Sequence, residues 1–131
     1  MLKQFTIRTD REGLYDITGQ LEGVVRESGI AEGICLVYCP HTTAAITINE
    51  NADPDVKSDM IYGLTQTFSD DPAYRHMEGN TTAHLKSSTF GASEHLIIHE
   101  GRLIRGTWQG IYFAEFDGPR NRSYYVKVIE G

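Results

Sequence analysis

An α+β fold, with mixed or antiparallel sheets stacked as a β-sandwich and two main helices, is what this chain predicts. Three observations carry that expectation. Alternating or apolar runs of strand length open the chain and recur in its middle. Two longer stretches place apolar residues at three- and four-residue spacing, the stripe of an amphipathic helix. The C-terminal third is a succession of strand-like runs broken by glycine turns.

Residues 3–9 alternate, with Phe5 and Ile7 on one face, and predict a first strand. Arg11-Glu12-Gly13 reads as a turn. Ile17, Leu21, Val24 and Val25 then mark a packing helix, with Asp16 placed to cap its start and Gly29 to end it. Gly33 to Cys39 and Ala44 to Asn49 read as buried strands. Only Pro40 to Thr43 separates them, which predicts a hairpin-like corner or a bulge. Asp53-Pro54 has the residue types of an N-cap followed by a first helical position. Val56, Met60, Leu64 and Phe68 give that second helix its stripe. From Ser69 to Thr82 the pattern is lost, and Ala83 to Ser88 suggests one helical turn. Strands are predicted over Glu94–His99, Arg102–Arg105, Gly106–Phe116 and Ser123–Ile129. Glu100-Gly101 is a two-residue turn, and the glycines of the long run suggest a bulge or a close backbone approach.

The 131 residues make one domain, 1–131, long enough to bury roughly 68% of the unfolded surface. A net charge of −6 argues against a nucleic-acid or anionic-membrane partner, because either would call for a basic face. No apolar run reaches the length of a membrane span, and charges at Arg8, Asp10, Arg11 and Glu12 interrupt any leader-like stretch. A cytoplasmic location is the expectation. Cys35 and Cys39 would share a strand face roughly 13 Å apart, too far for a disulfide, and read as free, buried thiols.

Polar chemistry concentrates in the middle. Between His41 and Asp55 lie an imidazole, several hydroxyls, three carboxylates and two amides. Such density belongs where elements end and loops carry function. The five histidines fit no closed zinc pattern. His95 and His99 fall on one face of a strand and need no site role. His41, His76 and His84 sit at irregular points beside hydroxyl, amide or acid groups. Brought together, they would form an open metal site, bind phosphate, or act as acid and base near neutral pH. The alternative is three loop histidines that never meet. Asp53 and Asp55 have ordinary duties at a helix start, whereas Glu50, just past a strand, is less easily dismissed. Thr42 and Thr43 either favour strand geometry or need a base to become nucleophiles. Lys86-Ser87-Ser88 and Gly106-Thr107-Trp108-Gln109-Gly110 supply a cation, hydroxyls and close backbone approach, which suit an oxyanion or phosphate. No phosphate-loop or dinucleotide glycine fingerprint is present.

Three of these stretches together resemble a known family: His41 through Pro54, Ala83 through Ser88, and Gly101 through Ile111. They are similar to the signatures of the YjbQ family, and the resemblance runs from the first strand to Gly131. It implies a compact α+β fold with sandwiched sheets and a homotrimer with sites near subunit boundaries. It also implies a secondary thiamine-phosphate synthase activity, joining a pyrimidine diphosphate to a thiazole phosphate with release of diphosphate. On this reading His41, Glu50 and His84 are the catalytic groups. Thr42, Thr43, Asn49, Asp53, Lys86, Ser87 and Gln109 meet the phosphorylated small-molecule substrate. His41, His76 and His84 take any divalent metal, Mg or Zn. Glu78 to Thr82 carries fewer acids than the family pattern, and Ala114 to Gly118 departs from its usual Glu-His-Arg ending. A metal-dependent hydrolase and a non-catalytic module that binds a phosphorylated metabolite are the alternatives.

Overall fold

The computed structural model describes all of residues 1–131. Eight strands and three helices follow in order: β1 (Leu2–Thr9), β2 (Gly13–Asp16), α1 (Thr18–Ser28), β3 (Gly33–Tyr38), β4 (Ala44–Glu50), α2 (Pro54–Thr67), α3 (Thr81–Phe90), β5 (Ser93–His99), β6 (Arg102–Leu103), β7 (Gln109–Glu115) and β8 (Arg120–Glu130). The fold is α+β, as expected, with two antiparallel sheets. One has five strands in the order β1-β8-β3-β5-β6, the other three in the order β2-β7-β4. No helix is long and apolar enough to cross a membrane.

The sheets enclose the main core. The inward residues of the large sheet are Cys35, Val37, Leu96, Ile98, Tyr124, Val126 and Val128, and they meet Ile46, Ile111 and Phe113 of the small sheet. Ile17, Leu21, Val24 and Val25, the predicted stripe at the start of and along α1, fill the remaining side of that core. On the other face of the small sheet a second cluster joins Ala45, Tyr112 and Ala114 to Ala83 of α3, with Met60, Ile61 and Leu64 of α2 packed against it. The small sheet is therefore covered on both faces. That explains why Gly-Ile-Tyr-Phe-Ala-Glu in β7 is buried without alternation. The large sheet is covered on one face only, and β3 and β8 alternate buried with exposed.

Several expectations need correction. β3 and β4 form no hairpin; they belong to different sheets, and Pro40 to Thr43 crosses between them. Gly91 and Ala92 fill the gap at this crossing. Cys39 N–H donates to the Ala92 carbonyl at 2.7 Å and Ile46 N–H to that of Gly91 at 3.1 Å. α3 runs ten residues rather than one turn. Its serines and threonines hide it from a periodicity search, because they hydrogen-bond inside the helix: Thr89 Oγ1 donates to the Leu85 carbonyl at 2.8 Å. The turn predicted over Arg11–Gly13 gives way at Gly13 to β2, a strand that pairs with β7. Asp16 acts one position earlier than predicted: its Oδ1 accepts from Thr18 N–H at 2.9 Å, while Ile17 holds the N-cap position. Asp53 caps α2 as expected, accepting from Asp55 N–H at 2.9 Å, with Pro54 in the first turn. Gly29 closes α1 in the left-handed region at φ 69°. The close approach expected of a β7 glycine is real, since a Cβ on Gly110 would lie 2.6 Å from Asn51 Nδ2.

Candidate functional site

The crossing from the large sheet to the small one places His41 at the mouth of a cleft of about 440 Å³, lined by Thr42, Ala44, His84, Ser87, Ser88 and Gly91 among others. That volume suits a small molecule. α3 delivers His84, Ser87 and Ser88 on successive turns. Ser87 Oγ donates to the Thr42 carbonyl at 2.6 Å and lies 3.1 Å from the His84 carbonyl, so one hydroxyl ties the helix to the corner.

His41 is fixed by the end of a strand. β3 pairs with β8 as far as Tyr38 opposite Tyr125, and beyond it the backbone of Ser123 has no strand partner on that side. The imidazole takes the vacant place. His41 Nε2 lies 3.0 Å from Ser123 N and 3.1 Å from its carbonyl oxygen. Nδ1 makes no hydrogen bond within the chain and is the nitrogen left for chemistry. Partial burial and then the nearby Arg122 charge lower the pKa of the ring, outweighing the Ser123 contact. Both effects bias the His41 ring toward its neutral form.

Beneath His41 lies a buried charge network. Glu115 is fully buried and Arg122 is 6% exposed. Arg122 grips the carboxylate twice, Nε to Oε1 at 2.8 Å and Nη2 to Oε2 at 2.6 Å, and Nη2 also donates to Thr43 Oγ1 at 2.8 Å. Thr9 Oγ1 and Asp117 N–H donate to the remaining carboxylate positions at 2.7 and 2.9 Å. Burial alone would raise the Glu115 carboxyl. The Arg122, Asp117 and Thr9 hydrogen bonds and the Arg122 charge together outweigh it and hold the group below its ordinary range. The network anchors Thr43, next to the corner, and Arg122, next to Ser123. Neither Arg122 nor Glu115 stands out as functional from the sequence. The one signal for the network is a carboxylate, Glu115, interrupting an apolar run.

Five of the sequence-derived candidates, His41, Thr42, His84, Ser87 and Ser88, line this cleft. His76 comes to His84 from the loop before α3, with ring centroids 5.4 Å apart and the rings nearly perpendicular. Within one chain no group of three or more His, Cys, Asp or Glu side chains is placed to hold a metal ion, so the three histidines do not form a ligand cage here. Lys86 lies outside the cleft lining. It is 4% exposed, paired with Glu12 at 2.8 Å, and its ammonium sits 6.0 Å from the Phe116 ring centre. Thr43 is buried and committed to Arg122. Asn49, Glu50, Asp53 and Gln109 gather at the opposite end of β4, where Glu50 pairs with Gln109. Six strand residues put that end roughly 20 Å from the corner. His95 and His99 are exposed, and His99 Nδ1 meets Glu32 at 2.9 Å.

Comparison with known proteins assigns this arrangement to a family. The family described as UPF0047 protein YjbQ-like matches residues 3–131. The chain is 57% identical to UPF0047 protein YugU of Bacillus subtilis over 131 residues, covering 98% of this chain and 99% of that protein. It is 52% identical to UPF0047 protein MJ1081 of Methanocaldococcus jannaschii over 130 residues, covering 98% and 94%. A crystal structure of a YjbQ/UPF0047-family protein from Clostridium acetobutylicum superposes with a TM-score of 0.94 at 49% identity, covering 97% of this chain and 99% of that one. A YbjQ-like protein of Sulfolobus solfataricus also gives 0.94, at 35% identity, covering 100% and 97%. With its fold, its three sequence signatures and nearly its whole length matched, the chain belongs to the YjbQ/UPF0047 family.

Proposed function

We propose that the histidine cleft binds a phosphorylated small molecule, and that the protein is a transferase of the thiamine-phosphate-synthase type. The observation that carries this is the pairing of two imidazoles, His41 and His84, in one hydroxyl-lined cleft. In the reaction a thiazole ring nitrogen donates its lone pair to the methylene carbon of the pyrimidine. The C–O bond to diphosphate breaks, and its electron pair leaves with diphosphate. His84, with His76 beside it, donates hydrogen bonds to the departing oxygens, and Ser88 and Thr42 add hydroxyl donors. The alkylation itself neither releases nor takes up a proton, so His41 serves as a further polar contact to the departing diphosphate. No step depends on a metal held by the protein; Mg or Zn would enter as the counterion of the diphosphate, with His76 and His84 beside it.

Glu50, with Asn49, Asp53 and Gln109, is too far along β4 to share this cleft within one chain. Its proposed role belongs to a homotrimer, in which one subunit's strand end serves a neighbour's cleft. The uncovered face of the large sheet supports self-association. Ile129, Ile34 and Ile97 stand in one cross-strand row, 50%, 46% and 59% exposed, with Tyr38 and Leu2 on the same face. Contiguous apolar surface of this kind marks an interface. A sedimentation mass of three times the 14.7 kDa chain, falling in Ile97→Lys, is the expected result.

The activity test incubates purified protein with hydroxymethylpyrimidine diphosphate, thiazole phosphate and magnesium. Thiamine phosphate should form, and His41→Ala and His84→Ala should abolish it. Product no greater than in these variants refutes the synthase reading. Binding without turnover would leave a sensing module.

A further inference from the structure

A larger cleft lies elsewhere. Between the C-terminal half of α1 and the β5–β6 hairpin lies a cleft of about 610 Å³. It shares no residue with the histidine cleft. Three of the chain's 12 Lys and Arg residues line it: Arg26, Arg102 and Arg105. The histidine cleft has none among its lining residues.

The three guanidiniums differ in how they are held. Arg105 is fixed from two sides, donating from Nη2 to Glu22 Oε1 at 2.7 Å and from Nη1 to the Gln109 carbonyl at 2.6 Å. It forms a rigid wall. Arg26 and Arg102 have no ion-pair partner in the chain. Arg26 stands in the last turn of α1, where a cation complements the helix dipole, and that accounts for its sign. Nothing comparable accounts for Arg102 on the hairpin opposite. Val25 and Leu103 give the cleft an apolar floor. Guanidiniums over an apolar floor form a planar fork arrangement that matches phosphate oxygens bidentately.

We propose that this arginine cleft is a second ligand site, for a phosphate-bearing small molecule, independent of the histidine cleft. Arg26 and Arg102 clamp the phosphate from opposite walls, and Arg105 braces one side. Glu22 stays on Arg105, and Glu100 at the hairpin tip sets a charge limit that favours a compact phosphate group over an extended polyanion.

The test uses inorganic diphosphate as the probe, titrated calorimetrically into the full-length protein. The His41→Ala/His84→Ala variant removes the first cleft, so any binding that persists belongs elsewhere. Diphosphate should still bind to that variant. Adding Arg26→Ala/Arg102→Ala in the same background should weaken binding at least about tenfold, the loss expected of charge-assisted bonds. Adding Arg8→Ala/Lys127→Ala instead, which removes the same charge from the large sheet, should leave it unchanged. All four residues are at the surface, and melting curves check the fold. The proposal fails if the histidine variant binds no diphosphate, or if the two charge-matched variants weaken binding equally. Neither failure bears on synthase turnover, which the histidine variants alone decide.

Discussion

Arg122→Met removes the cation from a carboxylate that has no access to water. Glu115 would lose contacts at 2.8 and 2.6 Å and Thr43 Oγ1 a contact at 2.8 Å, leaving the carboxylate only Thr9 and the Asp117 N–H. Breaking a buried ion pair from one side costs about 3–5 kcal/mol. With an unfolding entropy of about 2.1 cal/mol/K per residue, a chain of this length loses roughly 10–20 °C of melting temperature. The pH dependence has a definite sign. In the native protein the Glu115 pKa is depressed, so its contribution is present above the ordinary carboxyl range and is lost as pH falls through the depressed value. Without Arg122, burial dominates and the pKa rises, so the variant binds a proton more readily when folded. The stability gap between the two proteins should therefore narrow between pH 7 and pH 5. Urea denaturation at both pH values measures it. Glu115→Leu/Arg122→Met should recover most of the loss, because a well-packed apolar pair replaces the ion pair. A single variant within about 1 kcal/mol of the native protein at pH 7 would refute the reasoning. NMR titration of His41 in the same variant should show a higher pKa, since the Arg122 charge contributes to its depression.

Gly110→Ala places a Cβ 2.7 Å from the Asn51 Cβ and should cost about 1–3 kcal/mol, with Asn51→Gly restoring the melting temperature. Asp53→Ala loses the cap on Asp55 N–H and about 1 kcal/mol; a fall in synthase turnover beyond that of a stability-matched variant would give Asp53 a substrate role. Burial pushes the Cys35 and Cys39 thiols up to about 11. Ellman's reagent at pH 8 should therefore find neither thiol in the folded protein and both in urea; rapid native reaction would show the core opening.

The regular elements were legible where periodicity and caps agreed. The α1 stripe, the Asp53-Pro54 start and the Glu100-Gly101 turn, with both residues at positive φ, match the sequence reading. The failures have physical causes. α3 buries Ala83, Lys86 and Ser87, a face with little hydrophobicity, so no apolar stripe announces it. Pro40 to Thr43 is short enough for a hairpin, and only the sheet topology reveals that it changes layers. His41 and His84 were identifiable by their setting beside hydroxyls. Their sharing of a cleft was not, because it depends on α3 packing over β4. Lys86 looked like a phosphate ligand from its neighbours, yet its position on α3 turns it inward to Glu12. Glu50 looked close to His41 along the chain, but an extended strand converts nine residues of sequence into a long span.

The layer change at Pro40 to Thr43 also determines how the cleft is tuned. His41 hangs from the large sheet through Ser123, whereas α3, which carries His84, lies on the small one. The two imidazoles thus reach the cleft from different sheets, and Ile46, Phe113 and Tyr124 are part of the core packed between those sheets. The ring of Phe113 lies edge-on to His41, with centroids 6.4 Å apart, and stacks obliquely on Tyr124 at 5.9 Å. The aperture of the site is thus written in the hydrophobic core. A methylene gained or lost at Phe113 should therefore be felt at His41, with every residue lining the opening left unchanged.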